Sequence, residues 1–328
     1  MISFILSRAY PSMAYRVRLI STSEASSVYD RCRSGQFYTS KADIFGVCVK
    51  LVTQSKRDLE MWGDNFRAMG DGVRSHAMII SLTDPDREMG VDYDPVTSIA
   101  VLYNFDYYGW IKSIALAVTT DILEDSHRMS AVHGAALDLD GRGVCIIAPS
   151  KTGKTTQSWG LLRTANACLI TDDWFFVRLT GGRPRIHGSE KNCYIDADIG
   201  DVWEEYKPLV STTHFDNKGR GIANVRWVMG PDSVVTQASL NDIILLKRDP
   251  SDSRITRKLR PEEALAYLEE HDFCNPHQMI RDERKMELRK RFFFEFLSSC
   301  NVYMVNTVCS AEETQDYIRR VLYEECQR

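Results

Sequence analysis

Two short runs in this chain carry residue types and spacings suited to phosphate chemistry. The first is Ala148-Pro149-Ser150-Lys151-Thr152-Gly153-Lys154-Thr155-Thr156, and the second is the adjacent carboxylate pair Asp172-Asp173. The nonapeptide fits the phosphate-loop pattern G-x-x-x-x-G-K-[ST], except that Ala148 takes the place of the first glycine. In such a loop, backbone N–H groups at a helix N-terminus cradle phosphate oxygens. Lys154 is then the residue that neutralises the outer phosphates, and the Thr155 hydroxyl is the one that ligates magnesium. Beside a phosphate loop, Asp172 and Asp173 are candidates for metal ligand and general base. Two carboxylates this close repel, which raises one pKa unless a cation intervenes.

The pattern around these runs supplies elements to position them. Val144–Ile147 reads as a short apolar strand entering the loop, Lys154–Arg163 as a helix leaving it, and Cys168-Leu169-Ile170 as a strand delivering the aspartates. Asp140-Gly141 is a hairpin signal joining strands His133–Leu139 and Val144–Ile147. Gly181-Gly182 marks a second antiparallel return, so the sheet is expected to be mixed and rich in hairpins. Successive side chains on a strand face opposite ways. Asp172 and Asp173 therefore reach one site only if the strand ends and the chain turns at the pair. His133 lies on the strand leading towards the loop, and Lys112 sits near the start of a helix over Tyr108–Leu123.

The remaining chain divides into an N-terminal α/β unit, residues 1–97, and a phosphate-loop domain, residues 98–328. In the first unit, strands are expected at Tyr15–Ile20, Ile44–Val52 and Ala77–Leu82, and helices at Ser23–Arg33 and Thr53–Ala68. The Asp-, Pro- and Gly-rich stretch TDPDREMGVDYDP reads as a loop before the second unit, which opens with strand SIAVLYNF. Further on come a buried strand NDIILLKRD, a helix opened by Pro261, a basic helix over Arg281–Leu297, and a last helix behind the capping box Ser310-x-x-Glu313. The basic helix, with Arg284, Lys285, Arg289, Lys290 and Arg291, reads first as a solvated face and second as a surface for an acidic substrate.

At 328 residues, with a net charge near −4, the chain gives no argument for nucleic acid or an anionic membrane as principal partner. Nine cysteines without a C-x-x-C pair speak for a reducing compartment rather than a disulfide framework or structural zinc. No run approaches the roughly 18 apolar residues that span a bilayer, and the start lacks a basic region before its apolar patch. A cytoplasmic location is the expectation. Homo-oligomerisation is left open.

HGAALDLDGRGVCIIAPSKTGKTT resembles the nucleotide-binding core of the HPr kinase/phosphorylase family, in which a histidine–glycine pair precedes a strand, a G-x-S-G-x-G-K-S loop and a D-D pair. NKGRGIANVRWVMGPDSV, followed by LNDIILLKRD, resembles the same family's E-x-R-G-L-G-I-I-N-V stretch and its following strand. The resemblance covers about residues 99–250. It places His133, Lys154 and one of Asp172/Asp173 at active-site positions, Asp216 where the family has a metal-binding glutamate, and Lys218 where it has an arginine. Lys151 stands where the family has a loop glycine, so a loop of different shape is expected. The related ATP-dependent phosphoenolpyruvate carboxykinases also resemble this chain. Their G-L-S-G-T-G-K-T-T loop is similar to APSKTGKTT, and YYGWIKSIAL is similar to their lysine-bearing helix, which puts Lys112 near the metal. GSEKNCYID is similar to their F-E-G-G-C-Y segment, with Glu190 in the acidic position, and NVRWV supplies Arg226 as a nucleotide contact.

These resemblances imply a phosphoenolpyruvate-carboxykinase-like phosphate-loop domain and a kinase using ATP and Mg2+. The acceptor is a hydroxyl on a protein, a peptide or a small molecule. The alternatives are a carboxykinase-like enzyme and a non-catalytic nucleotide sensor, the latter suggested by Ala148 and Lys151.

Overall fold

A computed structural model describes residues 15–216, 219–223 and 225–323. The apolar patch before Tyr15, and Lys218, lie outside the described residues.

The chain enters through β1 (Arg16–Leu19) and α1 (Thr22–Ser34), which opens on a reciprocal capping box between Ser21 and Glu24. The run expected as one strand over 44–52 is instead a hairpin. Strands β2 (Tyr38–Ile44) and β3 (Val47–Thr53) turn at Phe45-Gly46, where φ is 53° and 83°, the left-handed pair that two-residue hairpins prefer. Helix α2 (Lys56–Asn65) and β4 (Arg67–Ala68) follow, then β5 (Ala77–Leu82), β6 (Gly90–Asp94) and β7 (Ile99–Tyr103). These strands form one seven-stranded mixed sheet in the order β1-β6-β7-β5-β3-β2-β4. Two expectations are corrected here. Part of the supposed loop is β6, whose Asp92 is held by Arg18 and Arg87. And β7, expected to open the second unit, lies inside the first sheet between β6 and β5.

Helix α3 (Tyr108–His127) packs on β5, β3 and β7 and also on β8 (Ser130–Leu139), the first strand of the second sheet. After it come β9 (Arg142–Ile147), α4 (Lys154–Leu162), β10 (Ala167–Thr171), β11 (Trp174–Arg178) and β12 (Arg185–Gly188). A two-stranded ribbon is made by β13 (Cys193–Asp196) and β14 (Arg220–Ala223), with the short helices α5 (Ile199–Val202) and α6 (Lys207–Thr212) between them and α7 (Val225–Met229) after. The long β15 (Gln237–Lys247), β16 (Thr256–Leu259), α8 (Pro261–Glu270), α9 (Glu283–Ser298), β17 (Asn301–Asn306) and α10 (Ala311–Tyr323) complete the chain.

The second sheet has eight strands and is mixed, with β15 parallel to both β9 and β17 while the other pairings are antiparallel. Its hairpin at Asp140-Gly141 has φ of 56° and 83°. The apolar run of β15 is buried on both faces. Ile243 and Leu245 join a cluster with α8 and α9, while Ile244 and Leu246 join one with Trp159 of α4 and Ile318 of α10. A third cluster runs from Val49, Leu51 and Ile79 of the first sheet through Ile111 and Ile114 of α3 to Trp174 and Phe176 of the second. The two sheets thus share a core, with α3 between them.

The basic helix is also corrected. Lys285 and Arg289 of α9 are buried, and they pair with Asp121, Glu124 and Asp125 of α3. Arg284 also pairs with Asp125, and Lys290 with Glu269. Lys285 and Arg289 tie α9 to α3, because each is buried and meets a carboxylate there, while Arg284 and Lys290 remain about half exposed. Among the described residues, no helix is long and apolar enough to cross a membrane.

Candidate functional site

The loop leaves β9 at Ala148, which is buried and is not among the left-handed positions, so its backbone does not require glycine. Lys151 and Gly153 do turn left-handed, with φ of 65° and 98°. Lys151 therefore takes the kind of backbone conformation that a glycine adopts at no steric cost. The Thr152 hydroxyl donates to the Pro149 carbonyl at 2.7 Å, and the Thr307 hydroxyl after β17 donates to the Thr152 carbonyl at 2.9 Å. Gly153 is the N-cap of α4 and has no side chain to cap it, which leaves the first-turn amides near Lys154, Thr155 and Thr156 suited to phosphate oxygens.

The strand through Leu169 breaks at the aspartates. β10 ends at Thr171, Asp172 and Asp173 form a bend, and β11 resumes at Trp174. Trp174 is paired with His133 of β8, and the Gly134 amide donates to the Asp173 carbonyl at 2.8 Å, so Asp173 lies beside His133. A side chain at Gly134 would lie 2.7 Å from the Ile146 carbonyl, which gives the His-Gly pair a packing reason. The bend sends the two carboxylates to different partners. Asp173 accepts from Lys112 Nζ at 2.8 Å, from Lys154 Nζ at 3.0 Å and lies 3.0 Å from His133 Nε2. Asp172 accepts the Tyr194 amide at 2.5 Å, and its carbonyl accepts from Lys154 at 2.9 Å. The pair is therefore inequivalent, as the turn argument requires.

Lys112 is 2% exposed. Its ammonium also meets Glu190 Oε1 at 3.1 Å and lies 4.4 Å from the centre of the Tyr194 ring. Burial works against its charge, but Asp173 and then Glu190 outweigh burial and hold it well above its ordinary value. Burial likewise pushes Asp173 up, and Lys112, Lys154 and His133 together overcome this and hold it well below the usual carboxylate range. For the other two acids burial wins. Asp172 is pushed up to about 6 by burial and then by the Asp173 charge, and Glu190 to about 7 by burial despite Lys112.

Asp172 Oδ1 and Glu190 Oε2 are buried oxygens with no hydrogen-bond partner. Hard anionic oxygens of this kind fit a magnesium ion, and Thr155 follows Lys154, whose ammonium meets the Asp172 carbonyl. Among the described residues no group of three or more His, Cys, Asp and Glu forms a metal cage. Magnesium needs none where phosphates and water supply its other ligands.

The other expected residues lie further out. Asp216 is in the turn before β14, where its carboxylate accepts the Arg220 amide at 3.0 Å. Arg226, exposed on α7, lines a cleft of about 510 Å³ between the Phe45-Gly46 hairpin, Asn65 and Arg67 on one side and Thr171, His187 and Glu190 on the other. The cleft shares Glu190 with the cluster, yet neither the phosphate loop nor Asp173 lines it. The structure thus brings together Lys112, His133, Lys154, Asp172, Asp173 and Glu190.

The resemblance of GSEKNCYID to the carboxykinase segment put Cys193-Tyr194 in place with Glu190, while sequence reasoning gave Cys274 no role. The Cys274 carbonyl lies 2.6 Å from His133 Nδ1. A backbone carbonyl leaves no mark in residue type, so no sequence signal pointed to it. Compared with known protein families and with curated proteins, the chain matches no family model and no curated protein.

Proposed function

We propose that this protein is an ATP- and magnesium-dependent kinase that transfers the γ-phosphate to a hydroxyl, built on a phosphoenolpyruvate-carboxykinase-like phosphate-loop fold of the HPr kinase type. The observation that carries this reading is the meeting of Lys154 with Asp173, and of Asp173 with His133, at the mouth of a loop turned left-handed at Lys151 and Gly153. The first-turn amides of α4 and Lys154 hold the β- and γ-phosphates. Thr155 and Asp172 would hold the magnesium, which would neutralise charge developing on the transferred group.

Asp173 meets the acceptor, because it is only partly buried while Asp172 is buried. In the transfer, the acceptor oxygen forms its bond to the γ-phosphorus as the bond to the β,γ-bridging oxygen breaks. ADP leaves, and the hydroxyl proton passes to Asp173. The low basicity of Asp173 suits a loose transition state, in which the hydroxyl must be oriented more than activated. His133 and Lys112 keep that carboxylate in place. Nucleotide, a hydroxyl-bearing metabolite, peptide or protein, and a cytoplasmic setting complete the proposal.

A screen for γ-phosphate transfer over metabolites and serine-bearing peptides, with products identified by mass spectrometry, tests it. Lys154→Ala should lower ATP affinity or turnover by about a hundredfold, the scale of losing a charge-assisted phosphate contact. Unchanged binding and rate in that variant would remove the assignment. One observation favours a second reading. Lys112 reaches Asp173 from α3 beside His133, which matches the lysine-bearing helix of the carboxykinases. Release of carbon dioxide coupled to phosphoryl transfer distinguishes that reading.

A further inference from the structure

Between α8 and α9 the chain forms an irregular strap, Asp272 to Asp282, most of which is buried. It opens with three consecutive left-handed residues, none of them glycine: Asp272, Phe273 and Cys274 at φ of 53°, 54° and 54°. Such a run persists only where its surroundings over-determine it. Here they do. Arg281 Nη1 donates to both carboxylate oxygens of Asp272 at 2.6 Å, and Gln278 Nε2 donates to the Asp272 carbonyl, to Asp272 Oδ1 and to the Asn275 carbonyl, each at 3.0 Å. Arg289 Nη1 in turn donates to Gln278 Oε1 at 2.9 Å and to the Ile280 carbonyl at 2.6 Å, while its Nε meets Glu124 of α3 at 3.1 Å. The Phe273 ring stacks on Phe293 at 4.9 Å. The strap is thereby tied to the helix that also carries Lys112.

We infer that this strap is the positioning element for His133: its left-handed turn, closed by Arg281 and Gln278, sets the Cys274 carbonyl against Nδ1 and so aims Nε2 at Asp173. A carbonyl oxygen only accepts, so Nδ1 carries the hydrogen and donates across the 2.6 Å contact. With one ring nitrogen fixed, the other is directed to Asp173 Oδ1, the oxygen that Lys154 also holds. A right-handed or extended backbone at 272–274 would turn the carbonyl away from the ring. The histidine of the strap adds no charge beside this contact, because burial pushes His277 down to about 3, with the Tyr15 hydroxyl 2.7 Å from its Nδ1, and the Asp272 carboxylate is matched by Arg281. The functional half of the inference rests on the kinase reading above, while the geometric half does not.

The test uses full-length protein labelled with 15N-histidine, with His133→Gln identifying the His133 signals. In the wild type the His133 Nδ1–H should be protected from exchange. Asp272→Ala removes both Arg281 contacts and one from Gln278. It should abolish that protection and lower kcat roughly tenfold or more, with the KM for ATP within about twofold. Where Asp272→Ala does not fold, Gln278→Leu, which removes the bonds to the Asp272 and Asn275 carbonyls, is read in the same way. Retained Nδ1–H protection in a folded variant overturns the clamp, and lost protection with unchanged kcat overturns its role in turnover. If the wild type phosphorylates no acceptor, the proposed function fails, and exchange at His133 still decides the clamp.

Discussion

Replacing Asp172 with Asn should make the protein more stable at neutral pH while impairing the proposed chemistry. The carboxyl is pushed from an ordinary value of 3.8 up to about 6, first by burial and then by Asp173. Holding a carboxylate ionised about two pH units above its ordinary range costs about 3 kcal/mol. Between pH 4 and 6 the folded protein keeps a proton on Asp172 that the unfolded chain has released, so stability falls as pH rises through this window. Above about 6 the whole cost is in place. Asparagine carries no charge and its amide oxygen can still accept the Tyr194 amide. Urea unfolding from pH 4.5 to 8 should give two curves that nearly meet at the acid end and separate by up to about 3 kcal/mol by pH 8, with the variant above. Magnesium-dependent nucleotide binding should weaken in the same variant. A stability difference that does not change with pH, or a variant less stable at pH 8 than at pH 5 relative to wild type, would refute the reasoning.

Two further substitutions probe neighbouring features. Lys112→Met leaves the buried Glu190 without its cation and Asp173 with Lys154 as its remaining lysine, and should destabilise by about 3 kcal/mol. The loss in thermal melts should be larger above pH 7 than below, since Glu190, pushed up to about 7, can hold a proton on the acid side. Lys151→Gly relieves a lysine held at φ 65°. With the greater backbone entropy of unfolded glycine set against that relief, it should change stability by about 1 kcal/mol or less. ATP affinity measured by calorimetry should be unchanged, and a large loss would show that the Lys151 side chain itself binds nucleotide.

Local chemistry made part of the fold legible. Asp140-Gly141 is a hairpin because both residues tolerate positive φ, and Ser310 with Glu313 caps the last helix through the reciprocal bonds the spacing implies. Lys154, Asp172 and Asp173 were legible as a site because a phosphate loop and an acid pair follow apolar strands in a fixed order. What failed to show depends on distant partners. Asp92 sits in a strand because Arg18 and Arg87 cover its charge, and Arg18 lies 74 residues away. Lys285 and Arg289 are buried because α3 presents carboxylates to them, which the helix's own basic pattern hides. Phe45 turns left-handed against the preference of its side chain, and its ring stacks on Phe176 of the second sheet at 4.9 Å. The position of β7 is likewise a matter of which strands flank it.

The balance of charge in the cluster links these observations. Lys112 and Lys154 face three carboxylates, Asp172, Asp173 and Glu190; both lysines meet Asp173, while Lys112 is shared with Glu190. One acid is therefore held strongly ionised while the other two resist ionisation. A protein selected for stability alone would remove that excess, and the uncharged amide at position 172 is the simplest way to do so. Keeping it leaves two buried carboxylate oxygens without hydrogen-bond donors. A hard divalent cation is the kind of group that would turn such oxygens from a cost into ligands. The instability at Asp172 and the proposed binding of magnesium nucleotide then trace to one electrostatic imbalance, and a variant that removes the first should weaken the second.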